Sequence, residues 1–174
     1  MKSVPPLPPE HKYLLICRHA KSSWLEAPLN DRERPLNKRG ERDAPEMGKR
    51  LALRGILPDL IMTSPAVRAR ATAELIAVQL DYPLGKLRIN PGQYAATVPT
   101  LLALLGKVES QVTTLMIVGH NPEVTALANI LGDLHLENIP TCGIVALKFS
   151  APSWQEVTAG NGILLFFDFP KNNG

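Results

Sequence analysis

A chain of 174 residues with 45% hydrophobic content can bury one substantial core, which argues against a second independent domain. The formal charge of +3 is uneven, with 12 basic and 7 acidic side chains in residues 1–54 against 7 and 9 in residues 55–174; this favours an anionic ligand near the N-terminal half, and the lack of a basic helix, aromatic platform or zinc-ligand spacing argues against nucleic acid. Two cysteines make no disulfide framework, and no apolar stretch suits a signal peptide or membrane span, so a cytoplasmic protein with no membrane association is expected.

Residues 1–12, rich in proline and including His11, read as an extended tail leading into a single domain over 13–170. Residues 13–17 form an unbroken apolar run, which suits a strand covered on both faces. Residues 22–35 are polar and irregular, a long loop lying directly over the end of that strand. Asn37 caps a helix running to about Arg54, with Gly55 as its stop and a break before Ala44 forced by Pro45. Residues 60–63 give a second strand, and Ser64-Pro65 reads as the N-cap and first turn of a helix to about Leu80. A third strand spans 86–90, and Thr97 caps a helix over 98–108. Residues 114–118 form the next strand, and Pro122 opens a helix to about Leu131. Residues 143–149 and 163–169 pair as a closing hairpin. The β-α alternation predicts an α/β three-layer sandwich: a mainly parallel sheet with one antiparallel strand and helices on both faces.

His19 and His120 each stand just beyond an apolar strand, so in a parallel sheet both imidazoles leave the same carboxyl edge, where such sheets build active sites. Arg18 accompanies the first. Arg68 falls in the first turn of a helix that follows a strand, where a guanidinium and a helix N-terminus face one anion together. Arg70, two residues on, points elsewhere as a surface charge.

Arg18-His19, the stretch Ser64-Pro65-Ala66-Val67-Arg68-Ala69, and Gly119-His120-Asn121-Pro122, in that order, resemble the histidine phosphatase superfamily, whose fold is phosphoglycerate mutase-like. The short length, Asp31-Arg32-Glu33-Arg34-Pro35-Leu36 followed by Gly40, and Thr141-Cys142-Gly143 are similar to its SixA branch, the phosphohistidine phosphatases. The resemblance implies a covalent phosphatase in which His19 attacks phosphorus as a neutral imidazole, with Arg18, Arg68 and His120 around the phosphoryl oxygens and no metal or other cofactor. Lys21, Ser22 and Asn121 are substrate-contact candidates by position, while Arg34 reads as an ion-pair partner that locks its loop.

Many relatives carry a carboxylic acid after the third strand, whereas Ile89-Asn90-Pro91-Gly92-Gln93-Tyr94 contains none. An unassisted alkoxide, with a conjugate-acid pKa of roughly 16, is a far poorer leaving group than imidazole at about 6.5. The expected substrate is therefore a phosphorylated protein carrying phosphohistidine, or a similarly activated small phosphorylated molecule, acted on by a monomer. Ala20 where many relatives have Gly, and Leu25 where mutase-like relatives have Asn, argue against transfer between sugar positions.

Two other readings use the same scaffold: a small-molecule phosphomonoesterase with Asp31 or Glu33 as the acid, and a non-catalytic module binding a phosphorylated partner. His135 reads as a surface loop residue. His120 with Glu123 has the spacing of a metal-binding pair but lacks a further ligand cluster. A cysteine phosphatase needs an arginine six residues after its cysteine, where Ser23 and Lys148 stand.

Overall fold

The β-branched and aliphatic runs assemble the centre of a sheet. A computed structural model describes residues 10–24 and 30–172, and within them six strands and four α-helices form the fold. The strands are β1 (His11–Arg18), β2 (Leu60–Thr63), β3 (Arg88–Ile89), β4 (Thr114–Gly119), β5 (Ile144–Ser150) and β6 (Ile163–Asp168), in the spatial order β3-β2-β4-β1-β5-β6. The first four are mutually parallel, and β5 runs antiparallel to both β1 and β6, so one antiparallel strand sits in an otherwise parallel sheet.

Alternation along the central strands sends side chains to two cores. Leu14, Ile16, Leu115 and Ile117 face α3 (Val98–Gly106) and α4 (Glu123–Gly132), joined there by the buried Trp154. Leu15, Cys17, Met116 and Val118 face α1 (Lys38–Leu53) and α2 (Val67–Gln79). Small residues let the last two helices meet closely: a Cβ on Gly48 would stand 2.9 Å from Gln79 Cβ. This is the expected three-layer sandwich, and both cysteines are buried and free within it.

Several local expectations give way to tertiary structure. The chain before Tyr13 is not all tail: β1 begins at His11 because β5 extends to Ser150 and pairs with it. Lys12 is buried there, donating from Nζ to the Ser110 carbonyl at 2.6 Å, and burial lowers its pKa against the raising effect of Asp59. Asn37 does cap α1, accepting the Gly40 N–H at 2.9 Å, but α1 runs unbroken through Pro45. Proline there removes one backbone hydrogen bond, and burial of Ala44, Met47 and Leu51 on the same helix outweighs that loss. Ser64 does not cap α2, which starts at Val67 after Ala66; its hydroxyl is drawn into the site instead. The third strand is only two residues long, preceded by a short 3-10 turn, Leu84–Lys86. Thr97 caps α3 as expected, accepting from Thr100 N–H. The proline-rich segment 1–9 and Leu25 lie outside the described residues.

Candidate active site

The site is built at the carboxyl ends of β1, β4 and β2. Register places Arg18 opposite Gly119, and the His19 N–H donates to the Gly119 carbonyl at 3.0 Å, so the two histidine loops leave adjacent central strands side by side. Their ring centroids are 5.2 Å apart at 55°. His19, His120, Arg18, Arg68, Lys21, Ser22 and Asn121, from segments far apart in sequence, all line one cavity of about 430 Å³.

The loop after β1 is fixed from three directions. Ala20 N–H donates to Thr72 Oγ1 at 2.9 Å, and that hydroxyl donates in turn to the Arg68 carbonyl at 2.7 Å, coupling the loop to α2. The Cys142 N–H donates to the carbonyls of Arg18 and His19 at 3.0 and 3.1 Å, from a left-handed backbone with φ of 61° that a β-carbon makes costly. Gly40 packs against the Lys21 carbonyl so tightly that a Cβ would stand well under 3.0 Å from its oxygen, with Lys21 C and N at 3.1 Å.

His19 Nδ1 lies 2.7 Å from the Ala20 carbonyl oxygen. A carbonyl only accepts, so Nδ1 carries the proton and Nε2 keeps its lone pair. Burial is the main cause lowering this imidazole to about 3, with the charges of His120, Arg68 and Arg18 adding to it and the Ala20 carbonyl opposing. His120 is lowered to about 4, first by burial and then by Arg68 and Arg34, with Asp31 opposing. Both rings are therefore neutral at pH 7. Its Nε2 lies 2.8 Å from Ser64 Oγ, which also accepts the Ala66 N–H at 3.2 Å.

The guanidinium groups are anchored while retaining donors. Arg18 Nη1 donates to the Ile139 carbonyl at 3.0 Å, and burial lowers its pKa. Among the described residues, Arg18 Nε, Arg68 Nε, His120 Nδ1 and Gln93 Oε1 are buried without a hydrogen-bond partner. Such atoms cost about 1–3 kcal/mol each when left unsatisfied, and these four belong to residues lining one cavity, while three others, on His11, Arg39 and Asp43, lie elsewhere. Gln93, overlooked in the sequence, is anchored through Nε2 to the Val118 carbonyl at 3.2 Å.

Asp31 has a different place from the acid considered for it. Its Oδ1 accepts from Arg34 Nε and Nη2, both at 3.2 Å; its Oδ2 accepts from Arg68 Nη2 at 3.0 Å and Tyr94 OH at 2.9 Å. A carboxylate offers about four lone-pair sites, and these bonds fill them. Partial burial raises its pKa, but the Tyr94 and Arg68 hydrogen bonds, the Arg68 charge and Arg34 outweigh that and lower it to about 2. The neighbouring Tyr94 hydroxyl is raised, chiefly by its bond to Asp31. Asp31 is thus a tie between Arg34, Arg68 and Tyr94.

Arg34 is the expected loop lock, donating also to Ser22 Oγ at 2.8 Å, and its guanidinium lies 3.5 Å from the centroid of the Trp24 ring. Asn121 lines the cavity, but its amide is committed elsewhere: Nδ2 donates to Asn138 Oδ1 and the Ile139 carbonyl, and Oδ1 accepts from Thr125. It braces the 138–139 segment that holds Arg18. Arg70 pairs with Glu74 at the surface and His135 is exposed, as expected. Among the described residues no group of three or more His, Cys, Asp or Glu side chains is placed to hold a metal.

A neutral imidazole with a free ring-nitrogen lone pair, beside a second histidine and anchored arginines, can hold an oxyanion and offer it a nucleophile. The family model of the histidine phosphatase superfamily (branch 1) matches residues 14–88. An uncharacterized protein of Mycobacterium tuberculosis is 35% identical across 88% of this chain and 99% of its own. SixA from Agrobacterium tumefaciens, a candidate phosphohistidine phosphatase, is 28% identical with a TM-score of 0.76, covering 91% of this chain and 98% of its own. A second SixA structure, from Nakamurella multipartitia, superimposes with a TM-score of 0.81 at 22% identity, over 94% and 99% of the two chains. The chain belongs to the histidine phosphatase superfamily.

Proposed function

We propose that the protein is a phosphohistidine phosphatase working through a covalent intermediate on His19. The observation that carries this reading is the Nδ1–H bond to the Ala20 carbonyl, which leaves Nε2 as a lone-pair donor in a cavity shared with His120, Arg18 and Arg68. In the first step Nε2 forms a bond to phosphorus as the bond to the leaving nitrogen breaks; that bond's pair returns to the substrate ring, which is protonated on its other nitrogen and departs as neutral imidazole, while the Nδ1 proton of His19 stays in place, making a phosphorylated imidazolium. In the second, water adds to phosphorus, the N–P pair returns to Nε2, and both water protons leave on dihydrogen phosphate. Arg18 and Arg68, with His120, stabilise charge spread over the phosphoryl oxygens, the main requirement of such transfer.

Substrate preference rests on proton supply. Asp31 is ionised and fully tied, so it has no proton to give an alkoxide at neutral pH, whereas a phosphohistidine ring protonated on its other nitrogen, an imidazolium of pKa about 6.5, departs as neutral imidazole with no further proton needed. A panel of phosphohistidine peptide, aryl phosphate and sugar phosphates, run with wild type and His19→Ala, tests the proposal. Turnover is expected in the order phosphohistidine, aryl, sugar, with acid-labile phosphate trapped on wild type alone. Faster turnover of sugar phosphates, or full activity in His19→Ala, overturns it.

A further inference from the structure

We infer that Trp24 and Tyr94, held by the Arg34–Asp31 tie, form a subsite for a flat aromatic leaving group, so that the enzyme recognises the imidazole ring of phosphohistidine as well as its phosphate. The inference rests on the phosphohistidine reading and adds the residues that would select the ring.

Cavity size is the first support. A water occupies about 30 Å³, and a phosphoryl group the space of roughly three, about a fifth of the 430 Å³ available. Most of the cavity is therefore room for what the phosphate is attached to. Its lining is mixed: besides polar groups such as Lys21, Gln93 and Glu123 it carries the aromatic and aliphatic surface of Trp24, Tyr94, Leu101 and Val124. A planar, weakly polar ring is satisfied by contact with that aromatic and aliphatic surface.

The aromatic pair is also preset. Trp24 is 74% exposed although it lines the cavity, so its ring contributes little to packing. Arg34 lies against it at 3.5 Å, and Arg34 is itself held by Asp31 and Ser22. The stack fixes the ring while most of its surface stays open. Tyr94 is fixed at its hydroxyl by the same Asp31 carboxylate, and its ring stands edge-on to His120 with centroids 5.8 Å apart. One carboxylate thus orients Arg68, on the phosphate side, and both aromatic groups, on the leaving-group side. An aromatic surface fixed before binding loses little conformational freedom when a ring stacks on it.

The test compares N-phosphoimidazole, which carries the ring, with phosphoramidate, which presents the same P–N bond without one. In Trp24→Ala and Tyr94→Leu the ratio of kcat/KM for phosphoimidazole over phosphoramidate should fall about tenfold, at the lower end of base-on-aromatic stacking energies. Trp24→Phe and Tyr94→Phe, which keep a ring, should restore most of it. Equal losses on both probes would show a merely structural role, and an unchanged ratio would show no ring contact; either result overturns the inference while leaving the phosphatase reading intact. If wild type turns over neither probe and no phosphate is trapped on His19, the phosphohistidine reading itself fails, and the subsite with it.

Discussion

Replacing Gly40 with alanine should disable the site from a position that touches no substrate. The added Cβ would stand well under 3.0 Å from the Lys21 carbonyl oxygen, backbone that cannot rotate away. Carbon and oxygen rest near 3.2–3.4 Å, so α1 and the loop must separate by about 1 Å. Overpacking of this kind costs about 1–3 kcal/mol, and for a chain of this size each kcal/mol lowers Tm by about 2–4 °C, giving a fall of roughly 2–12 °C. Lys21 is two residues from His19, whose ring orientation depends on the next carbonyl, that of Ala20. A 1 Å misplacement in a catalytic arrangement costs up to about a hundredfold, so kcat/KM should fall between about ten- and a hundredfold below the Tm of the variant. Calorimetry and phosphoramidate turnover measure the two effects. Gly85→Ala is the control, since its Cβ would meet nothing within 4 Å. Wild-type Tm and turnover in Gly40→Ala would refute the idea that this glycine sets the spacing between α1 and the catalytic loop.

Acid should weaken the fold through its two site histidines. Both are lowered from 6.5, to about 3 and about 4, so their contribution is complete above pH 6.5 and is lost as pH falls toward those values, because the unfolded chain takes up protons the folded one refuses. At pH 4.5 this amounts to about 2 kcal/mol per ring; urea midpoints should drop accordingly and the dependence should flatten in His120→Asn, and parallel curves would contradict the assignment. Asp31→Asn should lower kcat/KM by loosening Arg68 and Tyr94 without changing the shape of the pH–rate profile from 5 to 8, whereas loss of an alkaline limb would identify Asp31 as a proton donor. Ser64→Ala should cost about 1 kcal/mol, or about fivefold in kcat/KM, by removing the partner of His120 Nε2. Glu123 is the other carboxylate lining the cavity; Glu123→Gln should keep activity on phosphohistidine, and selective loss on esters would make it their acid.

What could be read from sequence was whatever depends on neighbours in the chain. The runs ending at Cys17 and Val118 announce buried strands, and Asn37 and Thr97 announce helix starts, because apolar patterning and capping are local. Pro45 misled for the complementary reason: the hydrogen bond it removes is local, while the packing that keeps α1 whole comes from α2. Ser64 looked like a cap because its neighbours fit one, yet its hydroxyl answers to His120, 56 residues away. His19, His120 and Arg18 stood out by their places at strand ends, and Arg68 by its place in the first turn of a helix. Gln93, Thr72 and Tyr94 did not, since each matters only through an atom the fold brings to it: the Val118 carbonyl, the Ala20 amide and the Asp31 carboxylate.

The unequal settings of Trp24 and Trp154 give the protein a built-in optical probe. Trp154 is sealed in the core with its indole N–H on the Val112 carbonyl, while Trp24 sits at the cavity wall under a guanidinium. Their emission should separate into a blue, unresponsive component and a red one, so that binding of tungstate or of a ring-bearing ligand can be titrated by intrinsic fluorescence, with no label attached.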